Sequence, residues 1–133
     1  APKGTHIFEA LVAFQSSWKA FPHQTRTDKH LASPLKGSAC KRLNMYFRWM
    51  VRKKSPVDFG IWSKVSTSEL LCPLDVHVQR ISMELGLLNR DKSDWQSCVE
   101  LTDRLRAFRP HDPVYYDYAL FGIGVARNKE IIL

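Results

Sequence analysis

Apolar residues recur near the start of the chain at Ile7, Leu11, Phe14 and Trp18, with spacings of four, three and four. That period predicts a helix over 6–21 with one buried stripe. Residues 22–34 lose the pattern: Pro22 and Pro34 bracket His23, Thr25, Thr27 and His30, which predicts a loop. A second helix is expected over about 38–53, where Leu43, Met45, Tyr46, Phe47, Trp49 and Met50 make most of the surface apolar. Pro56 and Gly60 mark 55–64 as irregular. Over 74–85, Leu74, Val78, Ile81 and Leu85 form one amphipathic stripe, with Gly86 as the stop. Ser93 and Gln96 make a capping-box pattern ahead of a helix to about Phe108. Asp112 and Pro113 read as the N-cap and first-position proline of a last helix through Gly122. No run alternates with period two, and no repeat or low-complexity tract is visible. The expected fold class is all-α.

Length and composition narrow the class further. A chain of 133 residues, 44% hydrophobic and 25% charged, reads as one domain or one large piece of a domain with a real core. It opens on Ala1 without a Met, which reads as a chain either trimmed or cut from something longer. No apolar run approaches the roughly 18–20 residues of a membrane span. Residues 5–21 hold Glu9, Gln15 and Lys19 and lack a cleavage pattern, so they do not read as a signal peptide. Cys40, Cys72 and Cys98 are odd in number and widely spaced, which favours free thiols in a reducing compartment. No C-x-x-C or H-x-x-x-H spacing and no cluster of four cysteines appears, so neither a metal nor another cofactor is expected. Trp18, Trp49, Trp62 and Trp95 read as core anchors.

The net charge of +7 points to a polyanionic partner. Lys41, Arg42, Arg48, Arg52, Lys53 and Lys54 fall in one stretch without an acid. Such a run is either a solvated helix face or a footprint on nucleic-acid phosphate. Two short segments add chemistry. In LKGSACKRL, residues 35–43, a glycine turn precedes a helix start, an arrangement that leaves N–H groups able to hold a phosphate. Lys41 and Arg42 stand in the first turn, where the helix dipole disfavours cations; Lys41 either simply points to water or is an amine biased towards its neutral, nucleophilic form. In LCPLDVHVQR, residues 71–80, Asp75 opens the amphipathic helix, either as an ordinary first-turn acid or as a reactive carboxylate lining a cleft.

Together these segments resemble the helix–hairpin–helix DNA glycosylase superfamily, most of all its 8-oxoguanine branch. Leu35, Gly37 and Lys41 fall in register with the family hairpin's Leu, first Gly and Lys. Pro73-Leu74-Asp75-Val76-His77 is similar to the segment that opens the family's catalytic helix, and Asp117-Tyr118-Ala119-Leu120-Phe121 resembles its final pocket helix. The stretch 35–124 also resembles a bacterial family placed near these glycosylases, through KGSACKRLNMYFRWMVR, PLDVH and VDFGIW.

The resemblance implies orthogonal helices of the glycosylase type, with this chain as the hairpin-bearing C-terminal half and an N-terminal subdomain outside it. It implies Lys41 as the amine that attacks the sugar C1′ and Asp75 as the carboxylate that stabilises oxocarbenium charge. Gly37 and Ser38 would form the turn that grips the DNA backbone, with His77 on a phosphate. Asp117 and Phe121 would line the base pocket, Phe121 stacking on the extruded base. Charge adds Arg42, Arg48, Arg52, Lys53 and Lys54 as phosphate contacts. Lys36, Ser38 and Ala39 stand where the family hairpin has Pro, Val and its second Gly. Asp117 stands where that branch has its base-reading Gln, so a preference for 8-oxoguanine is not implied.

The chemistry is coherent by itself. Breaking an N-glycosidic bond builds positive charge on the sugar, which a buried carboxylate stabilises, and a neutral amine can trap C1′ as a Schiff base. The base must leave the stack to be read, which calls for an aromatic platform. The expectation is therefore a monomeric DNA-repair glycosylase acting on a damaged base, with abasic-site lyase activity through a lysine Schiff base. It would bind DNA, not membrane, inside the cell, in the cytoplasm if bacterial. The alternative is a non-catalytic helical nucleic-acid-binding module. A purely structural helical domain explains the charge least well.

Overall fold

The computed structural model describes residues 5–132. The described residues are all-α: α1 (Thr5–Ala20), α2 (Lys41–Val51), α3 (Val76–Glu84), α4 (Trp95–Phe108) and α5 (Asp117–Ile132). Four 3₁₀ turns, Thr25–His30, Pro34–Lys36, Thr67–Glu69 and Pro113–Tyr116, lie between them. The one β-type pairing among these residues is an isolated bridge between Ser38 and Asp94. None of their helices is long and apolar enough to cross a membrane.

The core is built around an extended passage, Leu70, Leu71, Cys72 and Leu74, all at most 2% exposed. Cys98, Leu101 and Leu105 of α4 cover it from one side, with Val78 and Ile81 of α3 and Ile7 and Leu11 of α1 completing the shell. Each such aliphatic side chain, fully buried, contributes about 1.5–3 kcal/mol relative to exposure. Trp95 packs edge-on against Phe8 at 5.5 Å, and Trp62 lies against Tyr46 and Phe47. These two are anchors as expected, whereas Trp18 is 38% exposed.

Several helix boundaries differ from the periodic reading, each for a local reason. In α1 the buried stripe runs Ile7, Leu11 and Gln15, while Phe14 and Trp18 are largely outside. Gln15 is buried because its Nε2 donates to the Leu31 carbonyl at 3.3 Å. α2 starts at Lys41 rather than 38, because Cys40 is left-handed with φ 49°. α3 starts after Asp75, whose carboxylate accepts the Val78 N–H as an N-cap, and ends as expected at Gly86 with φ 72°. Leu85, expected on the buried stripe, is 56% exposed beyond that helix. Asp94, not Ser93, caps α4 by accepting the Ser97 N–H, while the Ser93 hydroxyl donates to the Gln79 side chain. Pro113 opens a 3₁₀ turn, and Asp112 makes no side-chain cap. α5 begins only at Asp117 and continues past Gly122. The turn ahead of α2 joins it to a 3₁₀ turn, Pro34–Lys36, rather than to an α-helix.

Candidate functional site

Lys41 is the first residue of α2, and Asp75 is the residue that caps α3. Thirty-four positions apart in sequence, they meet: Lys41 Nζ lies 3.0 Å from Asp75 Oδ2. The other carboxylate oxygen, Oδ1, accepts the Val78 N–H at 2.9 Å. Burial pushes the Asp75 pKa up, but the Val78 N–H, the Lys41 ammonium and His77 outweigh it and hold it below the ordinary carboxylate value. The Asp75 side chain is 11% exposed and that of Lys41 is 42% exposed, so the cation stands at the mouth and the anion behind it.

Behind this pair lies a pocket of about 100 Å³. One wall is the α2 stripe Lys41, Met45 and Arg48, spaced four and three residues apart. Pro73, Asp75 and Val78 form the second wall, and Asp117, Tyr118 and Phe121 of α5 form the third. Five residues singled out from sequence, Lys41, Arg48, Asp75, Asp117 and Phe121, thus share one cavity, Arg48 in a different place from the one expected. The sequence reading missed Met45, Pro73, Val78 and Tyr118. The helical spacing of 41, 45 and 48 was the signal that could have found Met45 and moved Arg48 from the DNA footprint to the pocket wall.

Arg48 and Arg52 are not on the solvent face that the basic run suggested. They are 2% and 8% exposed. The Arg48 guanidinium donates to Asp117 and to Asp58, and its carbon sits 3.7 Å above the Tyr118 ring. Arg52 donates to Asp112 at 2.8 Å and to Asp58 at 3.0 Å. The Asp58 side chain is fully buried between the two arginines. Burial lowers the Arg48 pKa in spite of Asp58 and Tyr118; for Arg52 burial acts the same way, but the Asp112 and Asp58 carboxylates prevail and raise it. Both cations are therefore internal ties, unavailable to a phosphate.

The remaining candidates are scattered. Gly37 is left-handed at φ 83°, but its N–H donates to Pro34 and its carbonyl accepts from Trp95. The Ser38 N–H donates to Ser33, and its Oγ accepts the Cys40 N–H. The two turn N–H groups expected to grip DNA are thus satisfied internally. His77 faces α5: its Nδ1 lies 3.1 Å from Asn128 Nδ2, and its ring meets Phe121 edge-on at 5.9 Å. Arg42 is exposed beside Lys41. Lys53 and Lys54 are exposed beyond the other end of α2, roughly 16 Å away at about 1.5 Å per residue.

The thiols offer no competing nucleophile. All three are free and buried, and burial raises the pKa of each, Cys72 to about 12 and Cys98 well above its ordinary value. No group of three or more His, Cys, Asp or Glu placed to hold a metal ion occurs among the described residues.

Residues 1–126 match the model of the family described as protein of unknown function (DUF2400), and the chain belongs to that family. No curated protein and no solved structure matches it.

Proposed function

We propose that this protein is a DNA glycosylase with abasic-site lyase chemistry, in which Lys41 and Asp75 are the reacting pair. The observation that carries the reading is the 3.0 Å contact between an accessible lysine amine and a largely buried carboxylate at the mouth of a pocket. A module that only bound nucleic acid would have no need to aim both groups into one cavity. In the proposed reaction the C1′–N bond breaks and its electron pair leaves with the base. Asp75 stabilises the positive charge on the sugar. The Lys41 ammonium gives a proton to Asp75 Oδ2, within hydrogen-bond reach, and its freed lone pair bonds to C1′. That nitrogen then loses a second proton to the departed base, and the C1′–O4′ bond opens, O4′ taking the Asp75 proton, to leave the Schiff base that borohydride reduces.

The pocket's lining suits a flipped base. Phe121 and Tyr118 offer aromatic surface, and the Arg48–Asp117 pair supplies a donor and an acceptor side by side. Its volume of about 100 Å³ is below the roughly 300–1,000 Å³ typical of ligand sites, so binding requires its walls to part. The positive net charge favours DNA as the substrate.

The test is borohydride trapping of the longest natural chain with duplexes carrying a panel of damaged bases or an abasic site. A covalent complex that disappears in Lys41→Gln is the expected result. If that chain binds DNA, traps nothing and is indifferent to Lys41→Gln and Asp75→Asn, the protein is a binding module and the enzymatic reading is wrong.

A further inference from the structure

Lys41 belongs to two cavities. One is the pocket with Asp75; the other is a groove of about 460 Å³ that shares only Lys41 with it, lined by the start of α2 and the end of the 3₁₀ turn Thr25–His30. Lys29 and His30 come to that groove from the turn, and Lys41 and Arg42 from α2. All four are exposed, and no carboxylate lines the groove. The acid of the same turn, Asp28, is taken by His23 at 2.6 Å and so does not neutralise Lys29 or His30. Lys41 has its acid in Asp75, but Lys29 and Arg42 converge on the groove without one, and a bound anion would relieve their mutual repulsion.

We infer that this groove seats a DNA phosphodiester next to the nucleotide under attack, with Lys29 and Arg42 as its principal phosphate contacts. The inference rests on the glycosylase reading and extends it. In a nucleotide the base and the backbone phosphate lie on different sides of the sugar. A lysine on the ridge between an aromatic-lined pocket and a basic groove therefore stands where C1′ would be. The backbone grip passes from the Gly37–Ser38 turn, whose N–H groups are already paired, to the side chains of Lys29 and Arg42. Phosphate contacts fix register and carry no sequence information, so the groove would position any lesion alike.

The experiment measures duplex affinity of the full chain across a salt series, using an abasic-site duplex as the probe. Lys29→Gln/Arg42→Gln is compared with the charge-matched, exposed pair Lys92→Gln/Arg104→Gln. The groove variant should lose affinity on the order of tenfold, and its log–log salt slope should shrink by about 0.9 per lost phosphate contact. The control should match the wild type. Equal slopes in groove variant and wild type, or a wild type with no salt-dependent binding, would overturn the inference. Its failure is separable from that of the reaction. A wild type that traps nothing but loses slope on groove substitution keeps the groove and loses the chemistry. Trapping with unchanged slopes keeps the chemistry and loses the groove.

Discussion

A Cβ placed on Gly124 of α5 would stand 2.9 Å from the Cβ of His77 on α3, and only 3.1 Å from the His77 carbonyl oxygen. The two helices that carry Asp75 at one end and Phe121 alongside are therefore held at a separation only glycine allows. Backbone cannot rotate away as a long side chain can, so Gly124→Ala should force α5 outward. The expected cost is about 1–3 kcal/mol by urea denaturation. Gly122, two residues earlier, has nothing within 4 Å of its added Cβ. Gly122→Ala should instead stabilise the helix by up to about 1 kcal/mol. Equal effects at the two positions would show that α3 and α5 are not in this close contact.

Asp58 sits between Arg48 and Arg52 with no exposed side-chain surface. Removing its charge leaves two buried guanidiniums sharing fewer partners, so Asp58→Asn should destabilise by about 3–5 kcal/mol. Lys53→Gln/Lys54→Gln, on exposed neighbours, should stay within about 0.5 kcal/mol of wild type. An Asp58→Asn protein as stable as wild type would mean that the arginines find solvent, as the basic run in the sequence suggested.

That contrast shows what the sequence carried and what it did not. The helical class was legible in the hydrophobic period, and the meeting of Lys41 with Asp75 only through the motifs that resemble a glycosylase, since neither a helix start nor a helix cap names its partner. The position of Asp117 and Phe121 in the same cavity was also legible, through the motif that resembled a pocket helix. The fate of Arg48 and Arg52 was not. Their acids lie 6–69 residues away, and nothing near the run 41–54 announces them. The Gly37 turn looked like a phosphate cradle because glycine reports backbone conformation, whereas the carbonyls that occupy its N–H groups come from Ser33 and Pro34. Helix starts slipped at Asp75, Asp94 and Asp117 because an acid can cap, open or precede a helix, and only geometry distinguishes these.

Phe121 separates recognition of the base from chemistry at the sugar. It lines the pocket yet is 40% exposed, so Phe121→Ala should cost only about 1–2 kcal/mol of stability. If it stacks on the extruded base, the variant should lose about 1–3 kcal/mol of base interaction, a drop of roughly 5- to 150-fold in excision of a damaged base. Trapping on a pre-formed abasic site, which has no base to stack, should stay near the wild-type level. A parallel loss on both substrates would place Phe121 in the architecture of the site and not in base binding.

Asp75 has two roles that substitutions can pull apart. As the cap of α3 it accepts the Val78 N–H, a function Asn also performs and Ala does not. As a carboxylate it holds the Lys41 ammonium, a function neither Asn nor Ala provides. Asp75→Ala should therefore cost about 1 kcal/mol more stability than Asp75→Asn at neutral pH. The pH dependence of the difference between wild type and Asp75→Asn follows from the lowered pKa. The folded-state value lies below the ordinary 3.8, so the stabilising charge is fully present above 3.8 and is lost as pH falls through the folded value. The wild-type advantage over Asp75→Asn should thus be constant from pH 7 to about pH 5 and vanish in stronger acid, as read by urea titrations at each pH. Activity should behave differently. Both substitutions should slow release of a damaged base, since each lacks the charge, while the Asn form stays folded well enough for the comparison to be made. An Asn variant with full base release would show that the carboxylate is only a helix cap.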